Sequence, residues 1–227
     1  MVSMCGLYSF RKSAEEVAAI FRLAALPVMA ARDYVTPGGP IAILRNSPSG
    51  LELAHVRWGL IPAWVKVVEP SAKPLINARA ETILEKPSFR QAIRRRRCLI
   101  PADGFYEWVG ESGRKQAFHI THDGGALFCF AGIWESWMGA DGSEMESAAI
   151  ITTQANRTIG IIHHRMPVVI DPEDQARWLD CRDDKAEGVL DLLKASAEDY
   201  FTAAKVEIAR ARREPPVKPK PAQLDLF

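Results

Sequence analysis

The residue with the most distinctive chemistry lies almost at the start, in Met4-Cys5-Gly6. A cysteine exposed as the first residue carries a free α-amine, with a pKa of about 7.7–8.0, so a useful fraction is nucleophilic near neutral pH. An internal nitrogen is held in amide resonance and attacks nothing. With its thiol two bonds away, the amine makes a 1,2-aminothiol. Such a group traps an aldehyde as an imine and then closes a five-membered thiazolidine ring. This chemistry requires that Met1-Val2-Ser3-Met4 be absent. The expected route is translation from Met4 followed by its removal, which is easy before a small residue. Self-cleavage of the leader is a second route, and a retained leader would mean that the capture step has been lost.

The rest of the chain must build a pocket around such a group. Its 227 residues fit one domain or two small ones, and 48% are hydrophobic, enough for a sizeable core. The formal charge of +1 gives no global bias toward an acidic or basic partner. Locally, Arg90, Arg94, Arg95, Arg96 and Arg97 cluster, and Lys205 to Lys220 is mostly basic. Cys5, Cys98, Cys129 and Cys181 form no C-x-x-C pair, so neither a zinc site nor a disulfide framework is indicated, and no cofactor is expected. Cys129, inside Leu127-Phe128-Cys129-Phe130, reads as a buried small hydrophobe. No apolar stretch precedes Cys5 and no run is long enough to cross a bilayer. A reduced cytoplasm and no membrane partner are therefore expected, with a monomer as the default.

The positioning elements follow from pattern. Ser13-Ala14-Glu15-Glu16 is a capping box, and Val17, Ile20, Phe21 and Ala24 continue it at helical spacing toward Pro27. Ile41 to Leu44 and Leu51 to Val56 read as strands around Asn46-Ser47-Pro48-Ser49-Gly50. Ile76 to Glu81 leads into a helix near Ser88 to Arg96. Cys98 to Ile100, Phe105 to Val109, Gln116 to Thr121, Ala126 to Trp134 and Ala148 to Thr153 read as strands. Glu111-Ser112-Gly113 and His122-Asp123-Gly124-Gly125 look like hairpin turns. Asp171-Pro172 opens a helix, and a further helix is expected over Lys185 to Ala195. Strands with inserted helices give an α+β single domain, a twisted, mostly antiparallel sheet or partly open barrel with peripheral helices.

Five segments occur in a telling order: Met4-Cys5-Gly6, Trp58-Gly59-Leu60-Ile61-Pro62, Asn77-Ala78-Arg79-Ala80-Glu81-Thr82, Arg97-Cys98-Leu99-Ile100-Pro101-Ala102-Asp103-Gly104-Phe105-Tyr106-Glu107-Trp108, and His163-His164-Arg165-Met166-Pro167. Together they strongly resemble the SRAP (SOS response-associated peptidase) family over roughly Met4 to Ala204, with the domain taken as residues 4–210. The resemblance implies a covalent sensor of abasic sites in single-stranded DNA, acting in the DNA damage response. It implies Cys5 as nucleophile, Asn77 and Glu107 as polar partners, and His163 as the last catalytic member. His163 is preferred to His164 because it stands two residues before the arginine of H-x-R-M-P.

The residue types suit those roles. Opening the closed sugar hemiacetal needs proton transfer at oxygen. A carboxyl group partly buried beside Trp108 and Tyr106 would have a raised pKa and could donate, which suits Glu107. Histidine can shuttle protons or hold the sugar, and Asn77 can orient the amine or the opened sugar without titrating. Taken alone, each has a plainer reading: Glu107 as a solvated strand face, Asn77 as a turn residue, and the histidines as surface residues. For DNA, Arg57, Arg79, Arg90 and Arg165 offer cations, and Trp58, Trp64 and Trp108 offer stacking faces, worth about 1–3 kcal/mol per base. The plainer reading makes Trp58 or Trp64 a core residue and Arg94 to Arg97 a solvated helix end.

One departure stands out. Leu7 occupies the position where the family usually carries arginine. At the other end, Glu214 to Ala222 reads as an extended Pro/Lys-rich tether within residues 211–222. Gln223-Leu224-Asp225-Leu226-Phe227 resembles the bacterial sliding-clamp-binding pentapeptide, with Gln223 and Leu224 leading and Leu226 and Phe227 filling a pocket. Two other functions stay open: a thiol peptidase using Cys5 with His163 as base, and a non-catalytic single-strand binding module brought to DNA by the clamp.

Overall fold

The computed structural model describes residues 6–69, 72–111 and 114–208. In chain order these form β1 (Tyr8–Phe10), α1 (Ala14–Phe21), β2 (Arg32–Val35), β3 (Pro40–Ser47), β4 (Gly50–Trp58), β5 (Asn77–Arg79), α2 (Ala92–Arg95), β6 (Arg97–Ala102), β7 (Gly104–Val109), β8 (Gln116–Thr121), β9 (Phe128–Met138), β10 (Glu144–Gln154), α3 (Arg157–Gly160), β11 (Arg165–Pro167), α4 (Gln175–Leu179) and β12 (Thr202–Val206).

Strands β10, β4, β3, β6 and β9 pair in that order, and β9 pairs back onto β10, closing a five-stranded barrel. All its pairings are antiparallel except the short parallel contact of β10 with β4 at Ser147↔Arg57 and Ala148↔Trp58. β10 outruns the barrel. Its last residues take β5 in parallel on one side and β11 antiparallel on the other. A second, wholly antiparallel sheet runs β12-β8-β7-β1-β2. It is an α+β fold with few and short helices.

The core explains the closure. Every residue of β6 is buried, as a strand covered on both faces requires. The two sheets meet through edge-to-face aromatics. Tyr8 contacts Trp58 and Phe130 at centroid distances of 5.2 and 5.9 Å, and Phe105 contacts Phe130 at 6.0 Å; Phe201, just before β12, backs Phe105 at 5.3 Å. Cys98 and Cys129 lie wholly inside, and burial pushes both thiols far up, so they are inert packing groups.

The capping box of α1 forms as expected: Glu16 N–H donates to Ser13 Oγ, and Ser13 N–H donates to the Glu16 carboxylate. The helix ends sooner than its periodicity suggests, with Arg22 in the left-handed region. The helix expected over Lys185 to Ala195 is only a 3-10 turn, Glu187–Leu192. Gly188 weakens an α-helix there, and its carbonyl accepts from Arg177 Nε instead. His122 to Gly125 is not a hairpin, because β8 pairs with β7 and β12 whereas β9 pairs with β6 and β10. The turn hands the chain from one sheet to the other.

Arg97 also departs from the solvated patch expected of Arg94 to Arg97. It is 3% exposed. Its guanidinium donates to the carbonyls of Ile93, Arg94, Trp178, Asp180 and Lys185, gathering backbone acceptors near the ends of α2 and α4.

Candidate active site

The site assembles around the overhanging end of β10. On one side Asn77, Ala78 and Arg79 pair with Ile150, Ile151 and Thr152; on the other, Pro167, Met166 and Arg165 pair with Thr152, Thr153 and Gln154. Thr152 thus lies between Arg79 and Pro167. Two motifs 86 residues apart at their Asn77 and His163 starts become neighbours across one strand.

An ion pair buried at its arginine end joins them. Arg165 donates from both terminal nitrogens to the two oxygens of Glu81, each at 2.9 Å, and also to the Thr152 carbonyl at 2.6 Å and hydroxyl at 3.2 Å. Burial works to raise the Glu81 pKa, but hydrogen bonds from Arg165 and the backbone outweigh it and hold the carboxyl below its ordinary range. Bidentate pairing fixes direction as well as distance.

His163 follows α3 and donates its backbone N–H to the Ile159 carbonyl at 2.9 Å. Its Nδ1 lies 3.1 Å from the Arg165 backbone N and 3.3 Å from the Arg165 carbonyl. A backbone N–H can only donate, so Nδ1 is the acceptor, and the neutral ring carries its proton on Nε2. Burial, together with the charges of His164 and Arg165, lowers the His163 pKa against a raising contribution from the Arg165 carbonyl. The ring is therefore neutral at pH 7. His164 is exposed and stacks on it at 4.4 Å.

Glu107 comes from the other sheet. On β7 it alternates with Phe105, so both point to the interior side, while Tyr106 and Trp108 face the other way. It is 1% exposed, which excludes a solvated strand face. β1 pairs with β7 as Tyr8↔Phe105 and Ser9↔Gly104, and Tyr106 N–H donates to the Leu7 carbonyl at 2.9 Å. The same register sets Gly6 opposite Glu107. Cys5 lies outside the described residues.

Trp58 links the two halves. Its indole N–H donates to the Ile76 carbonyl at 3.1 Å, immediately before Asn77, and its ring meets Tyr8 of β1. The following Gly59 has φ +130°, and a Cβ there would come within 2.8 Å of Pro74 Cβ, so the Trp-Gly step needs glycine.

The proposed DNA contacts divide. Trp58 is wholly buried and has no face for a base, which corrects its assignment to stacking. Trp64 is 64% exposed, Trp108 is half-buried, and Arg79 and Arg90 are exposed. Arg57 is half-buried near the Gly59 carbonyl. Arg165 is 9% exposed and already held by Glu81 and Thr152, so it is first a positioning residue; a phosphate reaching it would have to share it with Glu81. Leu7 is buried, not a cation at the surface. Nothing local in the sequence marks Glu81 or Thr152 as a site residue. Glu81 stood inside the Asn77 motif, but only the strand pairing identifies its partner.

A closed barrel with an overhanging strand, and polar motifs gathered at that overhang, define the architectural class. Residues 4–209 match the family described as SOS response associated peptidase (SRAP), and the chain belongs to that family. Among its relatives, the abasic site processing protein YoqW of Bacillus subtilis is 39% identical over 173 residues, covering 76% of this chain and 77% of YoqW. The abasic site processing protein HMCES of Gallus gallus is 29% identical, covering 78% of this chain and 62% of that protein. A crystal structure of a Bacteroides thetaiotaomicron protein superposes with a TM-score of 0.80 at 31% identity, covering 89% of this chain and 92% of that one. One from Bordetella bronchiseptica gives 0.77 at 28% identity, with 90% and 100% covered.

Proposed function

We propose that this protein processes abasic sites in single-stranded DNA, capturing the ring-opened sugar covalently through Cys5 as the first residue of the mature chain. The observation that carries the reading is the set of relatives named abasic site processing proteins, the bacterial one matched over three quarters of both chains. The geometry supports it. Residue 5 is one peptide unit, about 3.8 Å, from the Cα of Gly6, and Gly6 faces the buried Glu107 in the β1–β7 register.

In this mechanism Glu107 gives a proton to the ring oxygen while the C1 hydroxyl proton returns to its carboxylate through water, so the hemiacetal opens to the aldehyde and the acid is restored. The Cys5 amine attacks the aldehyde carbon, and water leaves as the imine forms, again with Glu107 as acid. The thiolate sulfur then adds to the imine carbon while the nitrogen takes up a proton, closing the thiazolidine. His163, neutral and with its proton on Nε2, holds or shuttles at the sugar oxygen. Asn77 orients the amine or the opened sugar. Arg79, Arg90 and Arg57 meet phosphates, and Trp64 and Trp108 offer stacking faces.

The test is a denaturing-gel assay with protein starting at Cys5. Cys5→Ser abolishes the stable adduct and Glu107→Gln slows its formation. Normal adduct formation by Cys5→Ser would show that the nucleophile is misassigned, and cleavage of peptides without any adduct would favour the thiol peptidase reading.

A further inference from the structure

The carboxylate of Asp103 does something that the capture mechanism has not used. It is 2% exposed, and it accepts from Ser9 of β1 and from Arg11 just beyond the strand. Ser9 Oγ donates to Asp103 Oδ1 at 2.6 Å, and the Arg11 backbone N–H donates to Oδ2. The Arg11 side chain adds Nε and a terminal nitrogen on Oδ1 at 3.0 and 2.9 Å. Ser9 and Arg11 bracket Phe10, the last residue of β1.

His119 of β8 reaches the same hydroxyl, with Nε2 3.2 Å from Ser9 Oγ. The single Ser9 proton goes to the nearer carboxylate, so His119 must donate from Nε2. The order is His119 Nε2–H to Ser9 Oγ–H to Asp103 Oδ1, with the serine in the middle. A hydrolytic triad would need the carboxylate on the histidine, so this is not one. The ring is held from the other side by Tyr106, stacked at 4.4 Å and 15°. Gly104 is what lets it in, because a Cβ there would lie 2.3 Å from His119 Nε2.

Burial of Tyr8 and Phe10 and the backbone bonds from Asp103 to Ser9 and from Tyr106 to Leu7 also hold β1, but its pairing ladders are short. It has three residues, a two-residue ladder with β7 and an irregular register with β2. A slip of one residue would turn every side chain to the other face, and the buried polar chain at Ser9 adds a side-chain contact that only one register can make. The same register sets Gly6 opposite Glu107, four residues along from Asp103. We infer that the Ser9–Asp103–His119 chain is a register lock that sets the reactive N-terminus against Glu107, which makes Asp103, Ser9 and His119 positioning residues for adduct formation. This rests on the abasic-site reading. It also accounts for the Asp-Gly of the Pro101-to-Trp108 motif: the aspartate grips β1 and the glycine admits the histidine.

The experiment uses the full chain starting at Cys5, with Asp103→Asn and the milder Ser9→Ala. Single-turnover adduct rates are measured on abasic single-stranded DNA, affinity is measured on the unreactive tetrahydrofuran analogue, and thermal melts identify any misfolded variant. The expected result is an adduct rate lower by about tenfold to a hundredfold, the scale of a roughly 1 Å misplacement, with analogue affinity unchanged. Combined with Glu107→Gln, either variant slows the reaction little further, because a residue acting through Glu107 is not additive with its loss. An unchanged rate in folded Ser9→Ala overturns the inference, as does a double variant whose losses multiply. A wild-type chain that forms no adduct at all would instead strike the abasic-site reading itself.

Discussion

Replacing Glu81 by glutamine cuts the tie between the Asn77 and His163 segments without changing size. The pair lies between two limits. Exposed ion pairs contribute about 0.2–1 kcal/mol, whereas breaking a buried one costs about 3–5 kcal/mol because a buried charge is stranded. Here the Arg165 side chain is 11% exposed and that of Glu81 is 41% exposed, so water compensates only the carboxylate end. Glutamine keeps one acceptor, and Arg165 keeps its bonds to Thr152. An intermediate loss of about 2 kcal/mol follows. For a chain of this size, at about 2–4 °C per kcal/mol, the melting temperature falls by about 4–8 °C. The effect carries a pH signature. The folded Glu81 pKa is lowered, so its stabilisation is complete above the ordinary carboxylate value of about 4.3 and is lost as pH falls through the lower folded value. Melts of wild type and Glu81→Gln should differ fully at neutral pH and converge in strong acid. A shift below about 1 °C at pH 7, or one independent of pH, would refute the reasoning.

The two tryptophans of the Trp58–Trp64 segment should behave oppositely. Trp58→Ala costs about 3–5 kcal/mol of stability as a core truncation, whereas Trp64→Ala leaves the melt unchanged and weakens single-stranded DNA binding by about 1–3 kcal/mol if a base stacks there. His163 should titrate below about 6.5 by NMR, since burial and its cationic neighbours lower it. The unfolded chain then binds that proton first, so the stability it costs is absent above about 6.5 and grows as pH falls toward the folded value, a loss that His163→Gln removes. If Gln223 to Phe227, which lie outside the described residues, dock on the bacterial sliding clamp, deleting them abolishes that binding without altering adduct formation. The tether from Glu214 to Ala222 lies outside the described residues, and equal clamp affinity with and without the peptide would exclude docking.

Local signals are legible where the residues themselves carry the structure. Ser13 and Glu16 form the capping box that their spacing announces, and Gln116 to Thr121 is a strand at both ends as read. What the sequence left hidden depends on distant partners. β1, β2 and β12 are three to five residues long and have meaning only once paired. The His122 to Gly125 turn has hairpin chemistry, and nothing local says that its strands belong to different sheets. Closure of the barrel through β9 and β10, and the parallel seat of β5 on β10, are matters of topology. The same holds for the site. In sequence Glu81 only ends the segment that leads toward a helix near Ser88, and its Arg165 partner lies 84 residues away. Trp58 could be read as platform or core until the Ile76 carbonyl and Tyr8 showed what surrounds it.

The most direct measurement is the intact mass of the product formed when protein beginning at Cys5 meets single-stranded DNA carrying one abasic site. Covalent ring closure predicts a single species at the sum of the two masses less one water, absent when residues 1–4 remain attached. No such species, or one that forms equally well with the leader in place, would contradict the account.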